Sequence, residues 1–200
     1  MTNTRPEHVL KFWFADALAS PEQHAARHGF WFKANPEADA QIRSQFSDLP
    51  DRLASGLADS WAQTPKGRLA AVIGLDQFPR NLYRGKPEAF SHDALARRLC
   101  EDGITHGDDG RLHPLERAFF YLPLEHAEDL AAQDQCVALM AALPAAMGEP
   151  WQSALEGYAS YALAHRDVIA RFGRFPHRNT ALGRASTVEE IEYLQAGGGF

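Results

Sequence analysis

Apolar residues along this chain recur three and four positions apart. Leu155, Tyr158, Ala159, Ala162, Leu163, Ile169 and Phe172 keep the 3.6-residue period that puts side chains on one helical face. Val9, Phe12, Trp13 and Leu18 form a second face, and Leu69, Val72, Ile73 and Phe78 a less regular third. No long segment alternates strictly, so strands are not expected. The punctuation is also helical. Ser20-Pro21 and Asn35-Pro36 pair an N-cap with a proline at the first helical position. Thr64-Pro65, Lys86-Pro87 and His113-Pro114 offer three more starts, and Ser186-Thr187-Val188-Glu189 reads as a capping box. Asp102-Gly103 and Asp109-Gly110 lack flanking β-rich runs and read as a helix stop and a loop turn. The expectation is an all-α fold in one domain over residues 1–200, with about eight to ten helices and essentially no sheet.

Two stretches resemble each other. LDQFPRN covers residues 75–81 and FGRFPHRN covers 172–179. Proline cannot continue a helix and biases its predecessor away from helical geometry. Both stretches are therefore expected to be helix-ending corners, each delivering arginine to one place. Arg80, Arg84, Arg174 and Arg178, with His177, are the candidate anion-binding side chains, because a guanidinium matches carboxylate or phosphate with two parallel bonds. Asn81 and Asn179 are candidates for shaping the turns or donating to the ligand. The alternative is helix termination with structural salt bridges.

The segment YLPLEHAED covers residues 121–129. With Pro123 opening a helix, Glu125, Glu128 and Asp129 fall on one face. Such carboxylates need a cation opposite, and the corner arginines are the expected source. Asp76 and Asp167 are further charge-balancing candidates, Asp76 for Arg80 and Asp167 for Arg171. Glu125 or Glu128 can serve as a general base and His126 or His165 as a proton shuttle. A metal held by these acids with His126, His92 or His165 is the weaker alternative, since no HExxH occurs and no paired Glu-x-x-His motifs do. The two FWF clusters, residues 12–14 and 30–32, are read as core, with Trp13 or Trp31 as an alternative aromatic wall beside the polar site.

Taken in order, VLKFWF, LDQFPRNLYRG, YLPLEHAED and RFGRFPHRN resemble a bacterial family catalogued as domain of unknown function 924. The resemblance runs from near the start to the last residue. It implies an all-helical fold related to tetratricopeptide-like hairpins, and it implies no activity, substrate or cofactor.

Charge and composition narrow the classes. The formal charge of −6 argues against a nucleic-acid partner. No apolar run reaches the ~20 residues of a membrane span or forms a signal segment, so no membrane partner is expected and the location is read as cytoplasmic. Cys100 and Cys136 have no CxxC partner and read as buried free thiols. There is no P-loop, G-x-G-x-x-G or G-x-S-x-G. No cofactor or metal is assigned, and the oligomeric state is left open. The primary functional reading is binding of a small anionic molecule or peptide carboxylate in an arginine-rich pocket. The rivals are a hydrolase of a phosphorylated or carboxylated metabolite using Glu/His acid–base chemistry, and a helical interaction scaffold whose polar motifs are braces.

Overall fold

The computed structural model describes residues 4–200. Among these there is no strand. The helices are α1 (Pro6–Phe14), α2 (Pro21–Phe32), α3 (Pro36–Phe46), α4 (Leu49–Arg52), α5 (Ala58–Trp61), α6 (Pro65–Leu82), α7 (Asp93–Thr105), α8 (Pro114–Glu125), α9 (Leu130–Ala141), α10 (Trp151–Phe172) and α11 (Val188–Gln195). A wide turn at Leu53–Leu57, kinked at Ser55 and Gly56, joins α4 to α5. Counted as one bent helix, Leu49–Trp61 brings the total to ten, which agrees with the sequence expectation.

α6 is the central rod. Its residues 67–79 are all buried, and it packs against α1, α3, α7 and α8. A helix apolar on most sides belongs inside a bundle. Gly74 lets the turn at Leu53 come close, because a Cβ there would lie 2.5 Å from Leu53 Cδ1. One continuous core runs from Val9 to Ala162, and a smaller cluster of Val168, Ile169 and Phe175 sits under the second Phe-Pro segment. Both cysteines are free and buried.

The helix starts follow their caps. Ser20, Asn35 and Thr64 accept backbone N–H bonds at the heads of α2, α3 and α6. At α11 the capping box is one residue later than expected, with Thr187 as N-cap and Glu190 as its partner. Lys86-Pro87 opens only a 3-10 turn, Pro87–Phe90.

Three expectations need correction. Phe78-Pro79 is not a corner: α6 continues through Pro79 to Leu82. An interior proline costs roughly 3 kcal/mol, and burial of the flanking helix on all sides offsets it. The Arg43 guanidinium then caps the Leu82 carbonyl at 3.0 Å. Pro123 likewise lies inside α8 instead of opening a helix. Glu125 is therefore the last residue of α8 and Asp129 the N-cap of α9, so Glu125, Glu128 and Asp129 do not share a helical face. Finally, Gly103 is buried within α7 and does not stop it. It is small because Arg68 Cδ and Phe120 Cζ would each be 2.5 Å from a Cβ. The second Phe-Pro segment does turn the chain: α10 ends at Phe172, and Gly173 takes the left-handed geometry that glycine tolerates best, φ 69°.

No helix among the described residues is long and apolar enough to cross a membrane.

Candidate functional site

The C-terminal half of α6 carries Asp76 and Arg80 one turn apart. Asp76 is fully buried. Its carboxylate accepts from His126 Nδ1 at 2.8 and 3.0 Å and from Gln77 Nε2 at 2.6 Å. Burial alone would raise its pKa, but the Arg80 and His126 charges and these hydrogen bonds outweigh that and hold it well below the usual range. Arg80 donates to both oxygens of Asp93, at 2.8 and 3.0 Å, and lies 3.3 Å from Asp76 Oδ1. Arg178 arrives from the second Phe-Pro segment. It donates to the His126 carbonyl at 3.0 Å and approaches Asp93 Oδ2 at 3.7 Å. The two guanidiniums flank the Phe90 ring. Two arginines thus meet two aspartates, and the four charges balance.

His126 caps the C-terminus of α8. Its pKa is lowered by burial and by the Arg80 charge, against the opposing pull of Asp76. The ring is therefore neutral near pH 7. With Nδ1–H held by Asp76, the other nitrogen, Nε2, is the acceptor, and it makes no hydrogen bond with the described residues.

The neighbouring Glu125 is 4% exposed, and its carboxyl makes no hydrogen bond with the described residues. The nearest polar side chain is His165, whose Nδ1 is 3.6 Å away but donates to the Tyr161 carbonyl at 2.9 Å. Burial, then the charge of Asp76, pushes the Glu125 pKa up to about 8. Burial and the neighbouring His126 and Arg178 charges push His165 down to about 3. At neutral pH the pair is a protonated acid beside a neutral imidazole.

Glu125 and His126 line a cleft of about 230 Å³. α6 contributes Gln77, Arg80, Asn81 and Arg84 to it, α10 contributes Tyr161 and His165, and the end of α2 contributes Trp31, Phe32 and Lys33. Phe200 also lines the cleft, its ring stacked on His165 at 3.5 Å between centroids. Among the described residues, Lys33 makes no ion pair or side-chain hydrogen bond. A smaller chamber of about 160 Å³ adjoins the cleft, sharing Phe32, Leu122, Glu125 and Tyr161 as walls. Its remaining walls come from His24 and His28 of α2 and from Ala154, Gly157 and Tyr158 of α10. The second FWF cluster is thus divided, with Trp31 buried and Phe32 41% exposed on the cleft, while Trp13 and Phe14 are core.

The other candidate residues lie apart from this cleft or on its rim. Arg84 and Asn81 both hold Asp39 of α3, at 3.0 and 2.8 Å, with Arg84 half exposed. Arg174 is tied to Glu190 by two bonds of 2.6 and 2.8 Å, which lower the Glu190 pKa to about 2. Asn179 donates to Ser186 and Glu190. Glu128 lines a separate, wider cleft of about 560 Å³ with Asp93, His126 and Arg178, and there it accepts from the Phe175 N–H and pairs with Arg184. Asp129 pairs with Arg97 while capping α9. The expected Asp167–Arg171 pair does not form: Asp167 meets Arg166 and Arg171 meets Glu189. His177 is partly buried, with its pKa pushed down to about 4 by burial and the Arg178 charge. Among the described residues, no three His, Cys, Asp or Glu side chains are grouped to hold a metal ion.

Sequence reasoning missed Asp93, Lys33, Gln77, Tyr161 and the His24–His28–Phe32 row. The last was findable, since residues four apart share a helical face.

No curated protein matches the sequence. A solved structure from Agrobacterium tumefaciens, that of the protein of unknown function ATU0120, superposes with a TM-score of 0.78 at 35% identity, covering 96% of this chain and 97% of that one. The model of the bacterial proteins of unknown function DUF924 matches residues 9–198. The LDQFPRN, YLPLEHAED and RFGRFPHRN segments that build the Asp76–His126–Arg178 junction lie within that span, and the chain belongs to the DUF924 family.

Proposed function

We propose that the cleft is an acid–base catalytic site for a small carboxylated or phosphorylated metabolite, with hydrolysis as its simplest reaction. One observation carries this reading. Glu125, buried and with no side-chain hydrogen bond to a described residue, stands in the cleft wall beside a histidine oriented by a buried aspartate. A structural carboxyl would be expected to be paired, and titratable groups with opposed environments are what acid–base sites require.

The roles follow from protonation. His126, neutral and aligned by Asp76, takes a proton from water as the water attacks. Glu125, protonated at neutral pH, gives its proton to the departing oxygen and recovers it from His126 by way of solvent. Such general acid–base assistance is typically worth about 10²–10⁴ in rate. Arg80 and Arg178 act here by positioning Asp76 and the His126 backbone. The anionic group of the ligand is met by Lys33, with Arg84 on the rim.

The test is hydrolysis of mono-4-nitrophenyl glutarate, which keeps a free carboxylate, and 4-nitrophenyl phosphate by the purified protein and by Glu125→Gln and His126→Gln. The expected result is turnover of one of the two classes, reduced at least about tenfold in each variant with the helical content unchanged. No turnover of either class, or equal rates in the variants, contradicts the reading. The unpaired Lys33 and half-exposed Arg84 also favour a second reading, anion binding without chemistry. In that case Lys33→Ala weakens ligand affinity while Glu125→Gln leaves it intact.

A further inference from the structure

We propose that the chamber behind Glu125 is a pocket for an aromatic ring, so that the ligand of the cleft is an aryl-substituted carboxylic acid. The inference rests on the cleft being a ligand site and adds the class of ligand.

Size is the first argument. The chamber opens to solvent at His28, Gly157 and Tyr161, which are exposed, and holds about 160 Å³, close to the volume of about 150 Å³ at which an apolar protein cavity accepts benzene. Its walls are the second. The Phe32 and Tyr158 rings stand edge to face at 6.0 Å, with His28 4.8 Å from Phe32. These rings offer edges and faces to an inserted ring, in the offset and perpendicular arrangements that aromatic pairs favour. Two of the polar groups are already occupied: His24 Nε2 bonds the Tyr158 hydroxyl at 3.0 Å. The polar groups left on the wall are the Glu125 carboxyl, the His28 ring and the Tyr161 hydroxyl, against the apolar faces of Phe32, Leu122, Ala154 and Tyr158.

The third argument is Gly157. Ala154, Gly157, Tyr158 and Tyr161 fall at i, i+3, i+4 and i+7 on α10 and all line the chamber, so they form one helical face. A Cβ added at Gly157 would meet nothing within 4 Å. A helix-interior glycine lowers helix stability, and here no neighbour requires it. Its effect is open space on the chamber side. The chamber and cleft meet at Glu125 and Tyr161, and Lys33 lies in the cleft. A ring seated behind Glu125 therefore carries its acid group out toward Lys33, with the linking carbons passing Glu125 and His126.

Calorimetric titration with 3-phenylpropionate and with propionate tests this. The wild-type protein should bind the aryl acid on the order of tenfold or more tightly than propionate, the effect of burying a ring. Gly157→Leu, which fills the chamber, should abolish that difference, and Gly157→Ala should reduce it without loss of fold by circular dichroism. Equal wild-type affinity for the two acids overturns the proposal. So does a ring-dependent preference that both Gly157 variants retain. Failure of this inference and of the catalytic reading are distinguishable. Ring-dependent binding in a protein whose hydrolysis ignores Glu125→Gln removes only the catalytic reading. Glu125-dependent hydrolysis without a ring preference removes only the aryl pocket.

Discussion

Arg80 and Arg178, from distant segments of the chain, converge on one carboxylate. Arg80 grips Asp93 with both nitrogens and Arg178 lies 3.7 Å from the same group. Burial and the charge of Arg80 depress the Arg178 pKa to about 10, against the opposing pull of Asp93. Asp93→Ala should destabilise the fold by about 2–4 kcal/mol, the usual consequence of leaving buried charge uncompensated. Urea denaturation checks it. A loss under about 0.5 kcal/mol, the scale of an exposed pair, would show that the junction is not a brace.

Convergence of the two Phe-Pro segments was legible in the sequence because both repeat arginine and asparagine after a rigid step. The elements were legible too, since proline and cap residues mark most helix starts. What was not legible was the course of the chain at Pro79, Pro123 and Gly103. Local propensity ends a helix at each, and tertiary burial overrides it. That override moved Glu125 to a helix end and separated it from Glu128 and Asp129. The site's ion pairs were misassigned for the same reason. Asp93, Asp39 and Glu190 are close to the arginines only in the folded chain.

Glu125 should make stability depend on pH in a direction opposite to ordinary carboxylates. Its folded pKa of about 8 lies above the unfolded value. The native state therefore holds a proton that the unfolded chain releases, and stability is lost as pH rises from about 4.5 to 8. Glu125→Gln removes this loss. Relative to wild type, the variant should gain stability steadily across that range, reaching about 4 kcal/mol by pH 8. Thermal melts at pH 5, 6.5 and 8 measure it, and a pH-independent difference would count against a protonated Glu125.

The buried histidines act in the other direction. Folded pKa values of about 3 for His165 and about 4 for His177 lie below the unfolded value. Their contribution is complete above pH 6.5 and is lost as pH falls through it, because the unfolded state binds protons first. In wild type, Glu125 partly masks this. In Glu125→Gln, stability should fall between pH 7 and pH 5 by about 4 kcal/mol, about half from each histidine. A flat profile in that variant would contradict the burial of neutral imidazoles.

Two helix-interior glycines should respond oppositely to alanine. At Gly157 the added methyl enters open space, and the helix gains about 0.5–1 kcal/mol. At Gly103 it meets Arg68 and Phe120 at 2.5 Å, and overpacking costs about 1–3 kcal/mol. Gly103→Ala also disturbs Arg68, whose Nε donates to the buried Asp108 at 2.8 Å. Denaturation midpoints of the two variants decide the matter.

The direct test of the whole account is the ionisation of one side chain. Carbon-13 NMR titration of the glutamate carboxyls, with Glu125 assigned by the resonance missing in Glu125→Gln, reads it in the folded protein. The account predicts a midpoint near 8, with the acid form dominant at pH 7. A midpoint near 4.5, the value of an exposed glutamate, would show that Glu125 is ionised in the cleft and cannot be its proton donor.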